Sequence, residues 1–437
     1  MKIIRKLNIL ILVVSFITLL SCSLDDGQSL NGAPTSSISD DLSRGEVQSV
    51  IIGVLSDMRV GLNTQVDVQS IFGREYYFFT NSDPRFEADV VTANLDNNTF
   101  YTTTPWGARY ATVKDINLAL EGLANTTADF SAEEIAALRG FLNTIKAHEL
   151  LMTSNNQFQN GIRIDVSDPA NLGPFVSYDQ ALTEIVNLLV DAANDLTAGG
   201  SRFPFVTPAG LDGFGSPTTF LKFNKALTAR VEAYRGNYAN VLTLLGDSFM
   251  DTGGDLKTGA YHTFSLAGGD QINPLFIALN QTANVRVAHA SFLADAEAGD
   301  TRIDKVVLRN NPRGASDLIG THDVWIYKSN VDKVPIIRNE ELILLYAEAN
   351  MVINPTEAVN ALNIIRNAAG LPNYTGAQTP SALEDELLKQ RRYSLFGESH
   401  RWIDMRRFNR LDELPNDRAG DNVPQQVPIP KDENQNQ

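Results

Sequence analysis

The segment that most restricts how this chain folds is Arg391–Phe408, which reads RRYSLFGESHRWIDMRRF. Five arginines, two acids, a histidine (His400) and a tryptophan surround one glycine. A solvent-facing helix has no need for that mixture. The segment reads as a buried polar junction between two short helices. Gly397 takes the left-handed stop, and Trp402, Met405 and Phe408 face the core. Glu398 and Asp404 are the natural partners of Arg391, Arg392, Arg401 and Arg406, since bidentate arginine–carboxylate bonds suit a buried junction. Such pairs fix geometry more dependably than they add stability, so this is architecture rather than a binding surface. Just upstream, Ser381 and Glu384 behind Pro380 read as a capping box opening a helix.

Helical periodicity dominates the rest of the chain. Apolar stripes predict helices over 42–59, 106–123, 131–158, 178–196 and 220–250, and Ser131 with Glu134 forms another capping box. Small residues and tyrosines recur in three helix–turn–helix segments, around Ala226–Leu242, Leu344–Leu362 and Tyr178–Ala193. The pattern is similar to degenerate tetratricopeptide repeats, and a generic helical bundle is the alternative. Residues 203–219 and 252–335 are rich in proline and glycine. Loops of that length inside a compact chain are usually functional. Lys305–Arg309 and Val324–Lys328 are possible short strands. The expected fold is therefore mainly α: helical repeats over about 105–250 and 338–408, with a loop-rich lobe over about 252–335 that holds a few strands.

The first residues address the compartment. Lys2, Arg5 and Lys6 precede an apolar run from Ile9 to Leu20. That run has the length of a signal-peptide core and is too short to span a bilayer. It ends at Ser21-Cys22, and Cys22 is the single cysteine of 437 residues. One thiol excludes an internal disulfide framework and any cysteine-based zinc site. At this position it reads as a lipidation site, with residues 1–21 removed, 22–37 a flexible tether and 38–437 the folded domain. A chance cysteine after an ordinary signal peptide is the alternative. The formal charge is −16, and it becomes more negative once the three N-terminal cations are removed. Nucleic acid and anionic headgroups are repelled by such a surface, so attachment to a membrane falls to the lipid.

From Val334 onward the residues resemble the SusD/RagB family. Pro335-Ile336-Ile337-Arg338-Asn339-Glu340-Glu341 runs into Leu344-Leu345-Tyr346-Ala347-Glu348-Ala349. Ala358–Arg366 then leads to Ala369-Gly370-Leu371-Pro372, and Ser381–Phe408 carries the strongest likeness. Asp300-Thr301-Arg302 and Val427-Pro428-Ile429-Pro430 resemble shorter family phrases, and Trp106–Tyr110 with Asn117 is similar to its early helix. The resemblance implies a SusD-like fold and a lipoprotein anchored in the outer membrane, facing the exterior. It implies a partner too: a TonB-dependent barrel of the SusC/RagA type, capped by this protein as it holds a nutrient. Most members take glycans and some take peptides. A tetratricopeptide interaction protein is the remote alternative.

No catalytic constellation stands out. His148-Glu149 begins like a zinc-peptidase motif, but Met152 stands where the second histidine belongs. There is no nucleophile elbow and no phosphate loop, so no enzyme activity, metal or cofactor is expected. For ligand contacts, the run Tyr76-Tyr77-Phe78-Phe79 followed by Asn81, Asp83 and Arg85, then Tyr101, is the first candidate. Carbohydrate sites set aromatic rings against sugar faces, with amides, acids and arginines reaching the hydroxyls. The family resemblance places ligand contacts in this segment as well. Core packing for the aromatics and a turn pair for Asp83–Arg85 are the bland alternatives. Trp325 and Tyr327 alternate like a strand; Trp325 is a further ligand candidate, with core packing of both as the favoured alternative.

Overall fold

The computed structural model describes residues 35–434. The leader, Cys22 and most of the tether lie outside these residues. Two short helices, α1 (Thr35–Asp40) and α2 (Arg44–Asp57), precede α3 (Leu62–Phe72). The scaffold follows as α4 (Phe100–Asn125), α5 (Ala132–Gln157), α6 (Tyr178–Ala198), α7 (Pro217–Tyr234) and α8 (Tyr238–Gly246). After a strand-bearing lobe it resumes as α10 (Asn339–Ile353), α11 (Pro355–Ala368), α12 (Pro380–Ser394) and α13 (Arg401–Arg407). Chain neighbours pack against one another from α4 to α8 and from α10 to α12, and α8 packs on α10. That last contact joins the two halves across the inserted lobe. The architecture is mainly α, built of helix pairs.

The sequence signals account for many of these boundaries. The Ser131 hydroxyl accepts from the Glu134 N–H at 3.2 Å, and the Glu134 carboxylate accepts from the Ser131 N–H at 2.9 Å. This is the reciprocal cap expected from the sequence. Gly140 lies where α5 crosses α6. A Cβ there would sit 2.9 Å from the Ala192 carbonyl oxygen, so only glycine allows the two backbones to come this close. Above the crossing, Phe141 stacks on Phe220 with centroids 4.5 Å apart.

Four boundaries differ from expectation. Helix α4 begins at Phe100 and holds Pro105 inside it, because burial of Tyr101 and Trp106 outweighs one lost backbone hydrogen bond. The predicted helix over 220–250 is two helices, parted at Gly236 with φ +71°. The cap of α12 is Thr379, whose hydroxyl accepts from Ala382 N–H, rather than Ser381; Pro380 is the first helical residue, where its missing N–H costs nothing. The predicted strand over 324–328 ends where it was to begin, since β7 is Leu318–Val324.

The lobe holds a four-stranded antiparallel sheet in the order β1 (Tyr76–Thr80), β5 (Asn284–Ala288), β7 and β6 (Val306–Ala315). Its edge strand β1 comes from ahead of the scaffold, with Tyr76 opposite Ala288 and Thr80 opposite Asn284. The lobe is therefore not confined to 252–335. Smaller pairs join β2 (Ile162–Arg163) to β3 (Phe175–Val176), and β4 (Gly259–His262) to β8 (Val334–Arg338). Helix α9 (Ala290–Ala294) follows β5, and α14 (Lys431–Asn434) is the last element described. Among the described residues no helix is long and apolar enough to cross a membrane.

Candidate functional site

The C-terminal signature folds into the buried junction that its composition demands. Arg391 Nε donates to Asp404 Oδ2 at 2.7 Å, with 1% and 3% of the two side chains exposed. Arg407 Nε donates to the other Asp404 oxygen at 3.1 Å, and its Nη2 reaches Glu348 at 2.6 Å. Arg230 of α7 grips Glu341 of α10 through two bonds of 2.7 and 2.6 Å. Burial alone would raise the Glu341 carboxyl, but the guanidinium of Arg230 and neighbouring positive charge hold it down at about 2. Burial pushes the His400 imidazole the other way, to about 4, so it is neutral at pH 7.

The partner assignments differ from the sequence reading. Glu398 bonds Arg338 of β8, not an arginine of its own segment. Arg392 pairs with Asp295 and the Ser291 hydroxyl. Arg406 bonds no carboxylate. Its guanidinium donates to the Gln425 and Asn155 carbonyls at 2.8 Å and lies over the rings of Phe158 and Trp402. Trp402 is fully buried, with its indole N–H on the Pro424 carbonyl at 2.7 Å. The signature thus clamps the returning chain end over α5. Carbonyls from distant loops act as its acceptors, and no local spacing could have named them.

Gly397 adopts φ +72° and its N–H donates to buried Glu75 at 3.1 Å. This left-handed φ strains any residue with a Cβ, and a Cβ there would also press on the end of the Ile326 side chain, so the turn favours glycine. Burial raises the Glu75 carboxyl to about 7, against the pull of Arg401 and the Gly397 N–H. The folded protein therefore retains a proton that the unfolded chain releases above its ordinary range near 4.5. Stability from this group is full below pH 4.5 and is lost as pH rises towards 7. Glu75→Gln removes that titration. Between pH 4.5 and pH 8 the parent is expected to lose about 3 kcal/mol more than the variant, read from urea unfolding midpoints of both proteins at the two pH values.

His148 and Glu149 hold structural roles. Glu149 lies 2.8 Å from Arg109 and 2.9 Å from His148 Nδ1, all buried. Among the described residues no group of three His, Cys, Asp or Glu side chains is placed to hold a metal.

The first ligand candidates sit on the β1 side of the sheet. Tyr76, Tyr77 and Phe79 are buried in the lobe core. Asp83 and Arg85 bond each other at 2.5 and 2.8 Å, as a turn pair does, and Arg85 covers the Phe100 ring. Exposed Asn81 accepts from Arg313 at 2.8 Å. Tyr101 is corrected as a ligand contact: it is fully buried, and its hydroxyl accepts from Asp96 N–H and donates to Asp89.

Trp325 stands elsewhere. It is half-buried directly after β7, leans on Phe276 with centroids 6.0 Å apart, and its N–H donates to the Lys305 carbonyl at 2.7 Å. It lines a cleft of about 860 Å³ between the lobe and the start of α10, with Tyr261, Lys305, Arg338 and Glu398 also in its walls. The volume falls in the range of small-ligand sites. Tyr327, its neighbour, is 8% exposed and belongs to the core. Asn81, Asp83, Arg85 and Tyr101 are not in the lining.

Comparison with known proteins agrees with this architecture. The SusD family model matches residues 312–437. A SusD-like protein of Formosa agariphila is 36% identical over 103 residues, covering 21% of this chain and 20% of that protein. The matched part is about a fifth of that relative's length. A SusD superfamily protein from Parabacteroides distasonis superposes with a TM-score of 0.68 at 16% identity, covering 90% of this chain and 97% of the other. Surface glycan-binding protein A from Bacteroides thetaiotaomicron, solved with laminarihexaose, superposes with a TM-score of 0.67 at 14% identity, covering 90% and 98%. The fold is SusD-like over nearly the whole described chain. Residues 312–437 match the SusD family, and over the rest of the described chain the likeness to SusD-like proteins is one of fold.

Proposed function

We propose that this protein is a non-catalytic, lipid-anchored glycan-binding protein of the cell exterior that passes oligosaccharides to a TonB-dependent barrel of the SusC type. The observation that carries the reading is the cleft of about 860 Å³ with a half-buried tryptophan on its wall. Flat aromatic surface beside convergent polar groups is what a sugar face and its hydroxyls require. Support comes from the family and from a structural neighbour that holds laminarihexaose. The lipid is assigned to Cys22 and the ligand cleft to the surroundings of Trp325. Asn81, Asp83 and Arg85 are at most an outlying part of that surface.

Affinity electrophoresis against a polysaccharide panel tests the binding. At least one polysaccharide is expected to retard the protein, and retention only by immobilised peptides would replace glycan with peptide. Purification from outer membranes is expected to bring along a barrel of roughly a hundred kilodaltons, and Cys22→Ser is expected to release the protein from the envelope fraction. A chain that binds no polysaccharide and brings no barrel would overturn the reading.

A further inference from the structure

The cleft around Trp325 has a charge character that sets it apart from the rest of the molecule. The chain carries 52 acids against 36 lysines and arginines. Lysine is scarce, yet four of the ten lysines among the described residues, Lys257, Lys305, Lys328 and Lys333, line this one cleft. Lys305 is committed inward, donating to the Tyr393 and Ser394 carbonyls at 2.8 and 2.6 Å. The other three are exposed and, among the described residues, make no salt bridge, although Lys328 lies in the field of Asp332. Lys333 rests over the Tyr261 ring at 3.9 Å from its centroid.

The backbone places these three amines, and the lining as a whole carries four lysines and two arginines against five acids, a slight positive excess on a chain of formal charge −16. Asp332 accepts from the Lys328 and Ser329 N–H groups and from the Ser329 hydroxyl, at 2.5, 3.1 and 2.6 Å. Its carboxylate is thereby used inside the turn that holds Lys328 and Lys333. Asp255 accepts from the Lys257 N–H at 2.9 Å. The Tyr261 hydroxyl donates to the Lys257 carbonyl and ties that turn to β4. On the floor, Glu340 and Glu398 both bond Arg338, and Arg302 bonds Asp300. Asp304 is the acid of the lining that no hydrogen bond holds.

We infer that the cleft selects an acidic glycan, setting a sugar face on Trp325 and a uronate carboxylate or sulfate ester among Lys257, Lys328 and Lys333. This rests on the glycan-binding reading above. An exposed ammonium without a carboxylate partner gains most from an anionic ligand, and a concave wall strengthens its field. The acidic surface elsewhere repels the same polymer, so binding concentrates here. The cleft is sized for a few sugar rings and not for a nucleic-acid duplex.

Calorimetric titration of the full chain with three probes tests the inference. The probes are oligogalacturonate for the carboxylate arm, sulfated carrageenan oligosaccharide for the sulfate arm, and laminarihexaose as the neutral control. At low salt at least one acidic probe is expected to bind about tenfold or more tightly than the neutral one, with most of that advantage gone at 0.5 M NaCl through screening. The triple substitution Lys257→Gln, Lys328→Gln, Lys333→Gln is expected to erase the advantage at an unchanged melting temperature. The salt series on the unaltered protein stands by itself should the variant fold poorly. Preference for the neutral probe, or an acidic advantage indifferent to salt or to the triple substitution, overturns the inference and leaves glycan binding in place. Binding of none of the three, with capture of peptides instead, overturns both.

Discussion

Asp404→Ala is expected to destabilise the fold by about 3–5 kcal/mol, the range for removing one partner of a buried ion pair. Asp404 is the hub of the junction, accepting from Arg391 at 2.7 Å and from Arg407 at 3.1 Å. Arg407 keeps Glu348. Arg391 keeps nothing, because its two terminal nitrogens already lack hydrogen-bond partners in the fold. Alanine at 404 would leave a guanidinium with 1% of its side chain exposed and no carboxylate bonded to it, with only the more distant charge of Glu348 in compensation. Asp404→Asn preserves shape and an acceptor oxygen, and is expected to cost less than the alanine change. Urea unfolding of the three proteins at pH 7 measures the difference. An alanine variant within 1 kcal/mol of the parent would remove the junction from any role in holding the chain end.

The second large effect concerns the ligand. Trp325→Ala is expected to raise the dissociation constant for a bound oligosaccharide about thirtyfold, corresponding to about 2 kcal/mol for a central aromatic contact. Only a small loss of stability should accompany it, since the ring is half-buried and its aromatic contact is with Phe276 at 6.0 Å between centroids. Tyr101→Phe is expected to behave oppositely. It removes the bonds to Asp89 and Asp96, lowers stability by about 1 kcal/mol, and leaves the affinity unchanged. Titration and thermal melting of both variants separate the two roles that a sequence reading assigns alike. Equal affinity of Trp325→Ala and parent would move the binding surface away from this cleft.

The helices were legible because their signals are local. Ser131 and Glu134 declare a cap within four residues, and apolar stripes declare which face is buried. Where a local rule met a tertiary demand, the rule gave way. Pro105 lies inside α4 because Tyr101 and Trp106 on either side of it are buried. The cap of α12 is Thr379 and not Ser381, because both hydroxyls have suitable spacing and only the approach of the chain chooses between them.

Sequence by itself determined that Arg391–Phe408 would be buried and polar, that Gly397 would turn left-handed, and that the scaffold would be helical. Each of these follows from neighbours along the chain. Only the tertiary structure decided which atoms answer those arginines: Glu398 turned to Arg338 of β8, and Arg406 to carbonyls of residues 155 and 425. It alone placed Trp325 and three unpaired lysines in one cleft while burying Tyr101. The physical reason is that a binding surface joins segments far apart in the chain, and the spacing between them carries no imprint of the space they share.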